Sequence, residues 1–113
     1  MKLVALAAIT AALLVPSAIA ATPTLNGTVG PGFTITLTKA GAKVTKLKAG
    51  SYVIKIADKS SIHNFSLKGP GVSKSTTVPQ TGTVTWKVTL KKGKYTYVCD
   101  PHASFMKGSF TVS

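Results

Sequence analysis

The stretch "YTYVCDPHASFMKG", residues 95–108, decides how the chain is read. Tyr95, Tyr97 and Cys99 alternate with Thr96 and Val98, the period of two that puts alternate side chains on one face of a strand. The alternation stops at Asp100-Pro101, where proline fixes the backbone and marks a turn. His102 and Met106 follow, so a thiol, an imidazole and a thioether fall within eight residues, and Cys99 is the only cysteine of the chain. Taken singly, each has an ordinary role. Cys99 reads as a small buried hydrophobe, His102 as a loop residue facing solvent, Met106 as core. Together, a cysteine at a strand end and a short loop carrying His and Met can place three soft or borderline donors around one point.

Outward from this stretch the same period recurs. "TVTWKVTL" sets Val84, Trp86, Val88 and Leu90 against Thr85, Lys87 and Thr89. "FTITLT" sets Phe33, Ile35 and Leu37 against threonines, and "SYVIKIA" (51–57), "IHNFSL" (62–67) and "GSFTVS" (108–113) complete the series with an early strand near Leu25–Val29. Turn signals separate them: "GPG" at 30–32 and again at 69–71, "AG" at 49–50, "TG" at 81–82 and "KKGK" at 91–94. Nothing in the pattern has the 3.6-residue period of a helix. Seven to eight short strands at this spacing predict an all-β sandwich or small barrel, with a loose Ser/Thr-rich loop at 73–77.

The N-terminus reads differently. Lys2 precedes an apolar run from Leu3 to Val15, Pro16 breaks it, and Ala18 and Ala20 supply small residues at the −3 and −1 positions. Those three parts read as a secretory signal peptide, residues 1–20, and predict one domain over residues 21–113 that works in a periplasmic or extracellular space. The competing reading is an uncleaved anchor, for which the run is just long enough. A domain of this size gains from a cross-link or a metal. One cysteine closes no disulfide within the chain, and a lone thiol in an oxidising compartment is buried, paired between chains or held by a metal.

Charge is one-sided: fourteen lysines, no arginine and no glutamate, with Asp58 and Asp100 the only acids. Nucleic acid is the first partner such a balance suggests. The lysines are spread singly, however, without arginine forks or interleaved aromatics, so a solvated surface that steers an acidic partner is the better reading.

The loop triple needs a further donor, and the chain has one other histidine, His63, in a separate predicted strand. Every histidine, the cysteine and the one methionine beyond Met1 are then used by a single site. Zinc would take two imidazoles and a thiolate, but a thioether is a poor zinc ligand. Two histidines and a cysteine with a weak methionine suit copper, whose two oxidation states favour sulfur and imidazole respectively.

"HNF" (63–65) together with "YVCDPHASFMKGSFTV" (97–112) resembles the cupredoxins, the plastocyanin and amicyanin group of small blue-copper proteins, over roughly Phe33–Ser113. The resemblance implies a Greek-key β-sandwich holding one copper, Cu(I) or Cu(II), near one end. It implies His63, Cys99 and His102 as equatorial ligands and Met106 as the axial one. Asn64 falls where the family hydrogen-bonds across to the ligand loop. The loop itself reads C-x2-H-x3-M, between the amicyanin-like and plastocyanin-like lengths, and Val98 stands where plastocyanins carry a tyrosine. The electron exit is therefore the edge of His102, with Pro101 and Phe105 and the "GPG" loops forming an apolar docking surface. A monomeric electron carrier between redox proteins is the expected function. A copper-handling protein would want spare methionines or histidines, and an enzyme would want an open coordination position or an orienting partner for Cys99 and His102.

Overall fold

The computed structural model describes residues 21–113; the proposed signal peptide, residues 1–20, lies outside them. Ten strands follow in chain order: β1 (Thr24–Val29), β2 (Ile35–Lys39), β3 (Ala42–Lys43), β4 (Lys46–Leu47), β5 (Gly50–Asp58), β6 (Ser66–Gly69), β7 (Val72–Ser75), β8 (Gly82–Leu90), β9 (Gly93–Val98) and β10 (Lys107–Val112). They form two five-stranded sheets, β3-β2-β1-β5-β8 and β4-β10-β9-β6-β7. The all-β sandwich expected from the alternation is the fold observed.

Each sheet turns one face inward, as period two requires. From the first come Leu25, Leu37, Ile54 and Ile56; from the second come Leu67, Tyr95, Tyr97 and Phe110, joined by Phe65 just before β6, all essentially without solvent contact. Aromatic pairs bind the second layer together: Phe65 stacks on Tyr97 at 5.6 Å and Tyr95 on Phe110 at 5.2 Å. Each fully buried side chain of this size contributes about 1.5–3 kcal/mol of transfer free energy, the main favourable term for a domain whose single cysteine is free.

The two ends of the sandwich follow from the registers. β1 and β5 run parallel from Thr24 opposite Val53 to Val29 opposite Asp58, and β9 and β10 pair Val98 with Lys107 and Gly93 with Val112. One end therefore gathers Val29, Asp58, Val98 and Lys107. The other gathers Thr24, Gly50, Leu90, Gly93 and Val112.

Several local expectations change. The strand count rises from seven or eight to ten because β3 and β4 are two-residue pieces, fixed by their partners β2 and β10, and because β7 pairs with β6. Phe33 leaves the face of Ile35 and Leu37, since the strand starts only at Ile35 and Phe33 stands 59% exposed before it. "IHNFSL" becomes strand only from Ser66, so His63 and Asn64 lie in irregular backbone. The segment expected to be a loose loop is instead β7, which pairs Val72–Ser75 with β6 and is followed by the buried Thr76.

Candidate metal centre

The inward series of β9, Tyr95 then Tyr97, continues into Cys99, which is fully buried just past the strand's end. A 3-10 turn, Asp100–His102, begins there, with Pro101 in its first positions where no amide hydrogen is needed. Backbone hydrogen bonds close the loop on itself. His102 donates to the Cys99 carbonyl (3.0 Å), Met106 donates to the His102 carbonyl (2.9 Å), and Cys99 donates to the Met106 carbonyl (3.0 Å). This ring returns Met106, 1% exposed, to the side of Cys99.

His63 reaches the same place from the connection between β5 and β6. Its ring has room because Gly30 lies against it. A methyl group on Gly30 would meet Ser60 Cβ at 2.9 Å and His63 Cδ2 at 3.3 Å, and the φ of +73° there suits glycine. The result is a closed triangle of donors. His63 Nδ1 and His102 Nδ1 are 3.1 Å apart, and Cys99 Sγ is 3.6 Å from the first and 3.5 Å from the second. A point equidistant from the three lies about 2 Å from each, the length of a metal–imidazole bond. The residues fit the metal that the sequence points to. They bring two imidazole nitrogens and a thiolate sulfur to one point, with a buried thioether residue in the same loop.

Asn64 holds the two halves of the site in register. Its Nδ2 donates to Asp100 Oδ2 (2.7 Å) and to the Thr76 carbonyl (3.2 Å), while its Oδ1 accepts from the Asp100 amide (2.7 Å). The neighbour of His63 is thus clasped to the neighbour of Cys99. Thr76 fixes the next residue, its Oγ1 accepting from the Phe65 amide at 2.9 Å. Thr76 and Asp100 carried no visible signal in the sequence, because their partners are 11 and 36 residues away.

Two buried atoms have no hydrogen-bond partner among the described residues: His63 Nε2 and Asp58 Oδ2. Asp58 Oδ1 accepts from the Ser60 amide at 3.0 Å. Burial raises the Asp58 pKa above the usual 3.8, and the Ser60 amide and the nearby His63 only partly offset it.

The rim is aromatic. Phe33 sets its ring 5.2 Å from both His63 and His102, edge to face, and Phe105 lies 5.6 Å from His102. Phe33, Phe105 and Ile62 are each more than half exposed, and Pro101 is exposed beside them. His102 is the one member of the triad that reaches solvent. Of the expected docking surface, Pro101, Phe105 and the first "GPG" loop are here. The second, Gly69–Gly71, is at the other end, where the Pro70 carbonyl accepts from the Tyr95 hydroxyl. Phe33 and Ile62 join the rim unforeseen, their exposure being set by where β2 and β6 begin.

A small β-sandwich that closes a His–Cys–His triad at one end has the architecture of a cupredoxin, and the chain belongs to the cupredoxin-like family, whose model matches residues 3–112. Family and donor set together define a site for one copper ion. Among solved structures the fold is similar to rusticyanin, described as a copper protein, at 18% identity and a TM-score of 0.62 over 81% of this chain and 78% of that one. Rusticyanin from Thiobacillus ferrooxidans matches at 23% identity and a TM-score of 0.55, over 81% and 77% of the two chains. A multi-copper oxidase from Pediococcus acidilactici matches at 16% identity and a TM-score of 0.55, with only 26% of that longer chain covered. No curated protein matches the chain. The structural likenesses show the fold and the family model shows the family, and the plastocyanin and amicyanin subgroup rests on the loop sequence alone.

Proposed function

We propose that the protein is a blue-copper electron carrier in which His63, Cys99 and His102, with Met106 beside them, would hold the ion and His102 would be the electron exit. Bound copper supplies a one-electron couple between Cu(I) and Cu(II). The chain's own residues supply a fixed cage. The observation that carries the reading is the buried triangle, with donors already 3.1–3.6 Å apart and braced by the backbone ring of the loop and the Asn64 clasp. Donors that need not move when the charge of the ion changes keep the reorganisation of electron transfer small. Burial of His63, Cys99 and Met106 leaves no open position for a substrate, which favours a carrier over an enzyme.

A redox partner would dock on the apolar rim of Phe33, Ile62, Pro101 and Phe105, of which the Phe33 and Phe105 rings lie against His102. The apolar run Leu3–Val15 with Ala18 and Ala20 supports export before the domain works, residues 1–20 acting as the signal. Nothing about the carrier role requires a second copy.

The test is to add one equivalent of Cu(II) to the purified protein, record the visible spectrum, and cycle it with ascorbate and an oxidant. An intense visible band is expected. It should bleach and return over repeated cycles with the copper retained, and it should be absent in Cys99→Ser. A colourless protein would overturn the copper-thiolate site. Loss of copper to a chelator at each reduction would instead favour a copper-handling role.

A further inference from the structure

The lysines, scattered singly along the sequence, are not scattered in space. Lys39, Lys43, Lys46 and Lys48 are all exposed and line one open groove of about 740 Å³ beside Tyr52. This groove lies at the end of the sandwich opposite the copper site. β2 ends there, β5 starts there, and β4 pairs with Thr111 and Val112 at the close of β10. The turn from β8 to β9 adds Lys91, Lys92 and Lys94 to the same end, since Leu90 pairs with Gly50 and Lys94 with Thr111. Half of the chain's fourteen lysines therefore share one pole. Both side-chain acids lie at the other pole, Asp58 at the end of β5 and Asp100 in the ligand loop. Only Lys59 and Lys107 flank the copper end among the described residues.

This pole is badly placed for passing electrons. β5 spans the sandwich with nine residues, so the two ends are separated by roughly 25 Å at about 3.3 Å per residue. An acidic redox partner seated on the lysines would be held that far from His102. That placement sets the lysines apart from the His102 edge and leaves them free for another contact. The pole has no arginine to fork onto phosphates and no exposed large aromatic side chain on which a base could stack, the features that favour nucleic acid. What it has is a broad set of flexible, strongly hydrated point charges, which suits a diffuse anionic surface. A second observation points the same way. The apolar stretch Leu3–Val15 leads into the domain at this same pole, because β1 begins there at Thr24 and Pro23 lines the lysine groove.

We propose that the lysine pole docks the domain on an anionic phospholipid bilayer, whether or not residues 1–20 are retained, and so turns the His102 rim away from the membrane. The contact is electrostatic, does not use the metal, and stands or falls independently of the electron-carrier reading.

The experiment compares flotation of the full chain with vesicles of phosphatidylcholine alone and of phosphatidylcholine mixed with anionic phosphatidylglycerol. Any contribution of the apolar N-terminal stretch is common to both. Two variants of equal net charge separate position from total charge: Lys39, Lys43, Lys46 and Lys48 all to Gln, and Lys55, Lys68, Lys74 and Lys87 all to Gln. All eight side chains are exposed, and circular dichroism checks that both variants fold. The expected result is stronger binding to the anionic vesicles, weakened by salt and equal with and without copper. The pole variant should lose about tenfold or more of it, and the mid-body variant far less. Equal losses in the two variants, or no preference for anionic lipid, would overturn the proposal. So would binding to soluble dextran sulfate without binding to anionic vesicles.

Discussion

The two ends of the sandwich are built on opposite terms. At the lysine pole, buried polar groups are satisfied. The Tyr52 hydroxyl donates to the Lys48 carbonyl at 2.7 Å, and the Tyr95 hydroxyl accepts from the Lys91 amide while its proton is shared by the Pro70 and Lys91 carbonyls, all at 2.9 Å. At the copper pole, His63 Nε2 and Asp58 Oδ2 are buried without partners, three metal donors crowd together, and large aromatic side chains face water. The difference teaches where the fold keeps its stability. One end is a conventional clasp around tyrosines, while the other gives up stability to hold a site ready for an ion.

The largest effect that can test this contrast is at the clasp. A methyl group on Gly69 would clash with the Tyr95 ring, so Gly69→Ala should displace the ring and its three hydrogen bonds. We expect a loss of about 3 kcal/mol in denaturant unfolding, with the visible copper band unchanged in the fraction that folds. A band that shifts would mean the two ends are not independent. Asn64→Ala makes the converse cut. It leaves the buried Thr76 carbonyl and the part-buried Asp100 amide without the Asn64 side chain and should cost about 2 kcal/mol. Copper affinity should also fall about 10- to 100-fold, read by competition with a chelator, because the partners that orient ligands set that affinity. An unchanged affinity would mean that the loop's backbone ring suffices.

Smaller effects sharpen the comparison. Tyr95→Phe keeps the ring and removes only the hydroxyl, and should cost about 1–2 kcal/mol, with no change in copper binding. Asp58→Asn should go the other way. Burial raises the folded-state pKa of Asp58 above its ordinary 3.8, so the folded chain binds that proton more tightly than the unfolded chain. The stability this contributes is complete below pH 3.8 and is lost as pH rises through the raised value. At neutral pH the buried carboxylate is therefore a cost, and Asp58→Asn should stabilise the apoprotein by about 1 kcal/mol and flatten its stability–pH profile above 3.8. A variant less stable at pH 7 would show that the charge is needed for something other than packing.

Much of this was legible in the sequence, for definable reasons. β5, β8, β9 and β10 are long enough for alternation to identify their buried faces, and Cys99 extends the series of Tyr95 and Tyr97. The triad was legible because its donor types are scarce: two histidines and one cysteine leave little choice. What escaped is what depends on pairing between distant segments. β3 and β4 are too short to have a period, His63 was placed on a strand that begins three residues later, and the turn carrying Phe33 looked like strand. Gathering the lysines at one pole is likewise a property of topology, since Lys46 and Lys94 come to flank Thr111 only when β4 and β9 pair on either side of β10.

The spacing of the donors also sets an order of events in the protein's life. Cys99, His102 and Met106 belong to one short loop, but His63 stands 36 residues before Cys99 and arrives only when β6 pairs with β9. A nascent or unfolded chain can offer an ion the loop's three donors and no more. Full-strength capture is therefore reserved for the finished domain, and copper is the last component to be installed. A cell that makes this protein can translate and move the chain empty, and the metal need be supplied only where folding is completed.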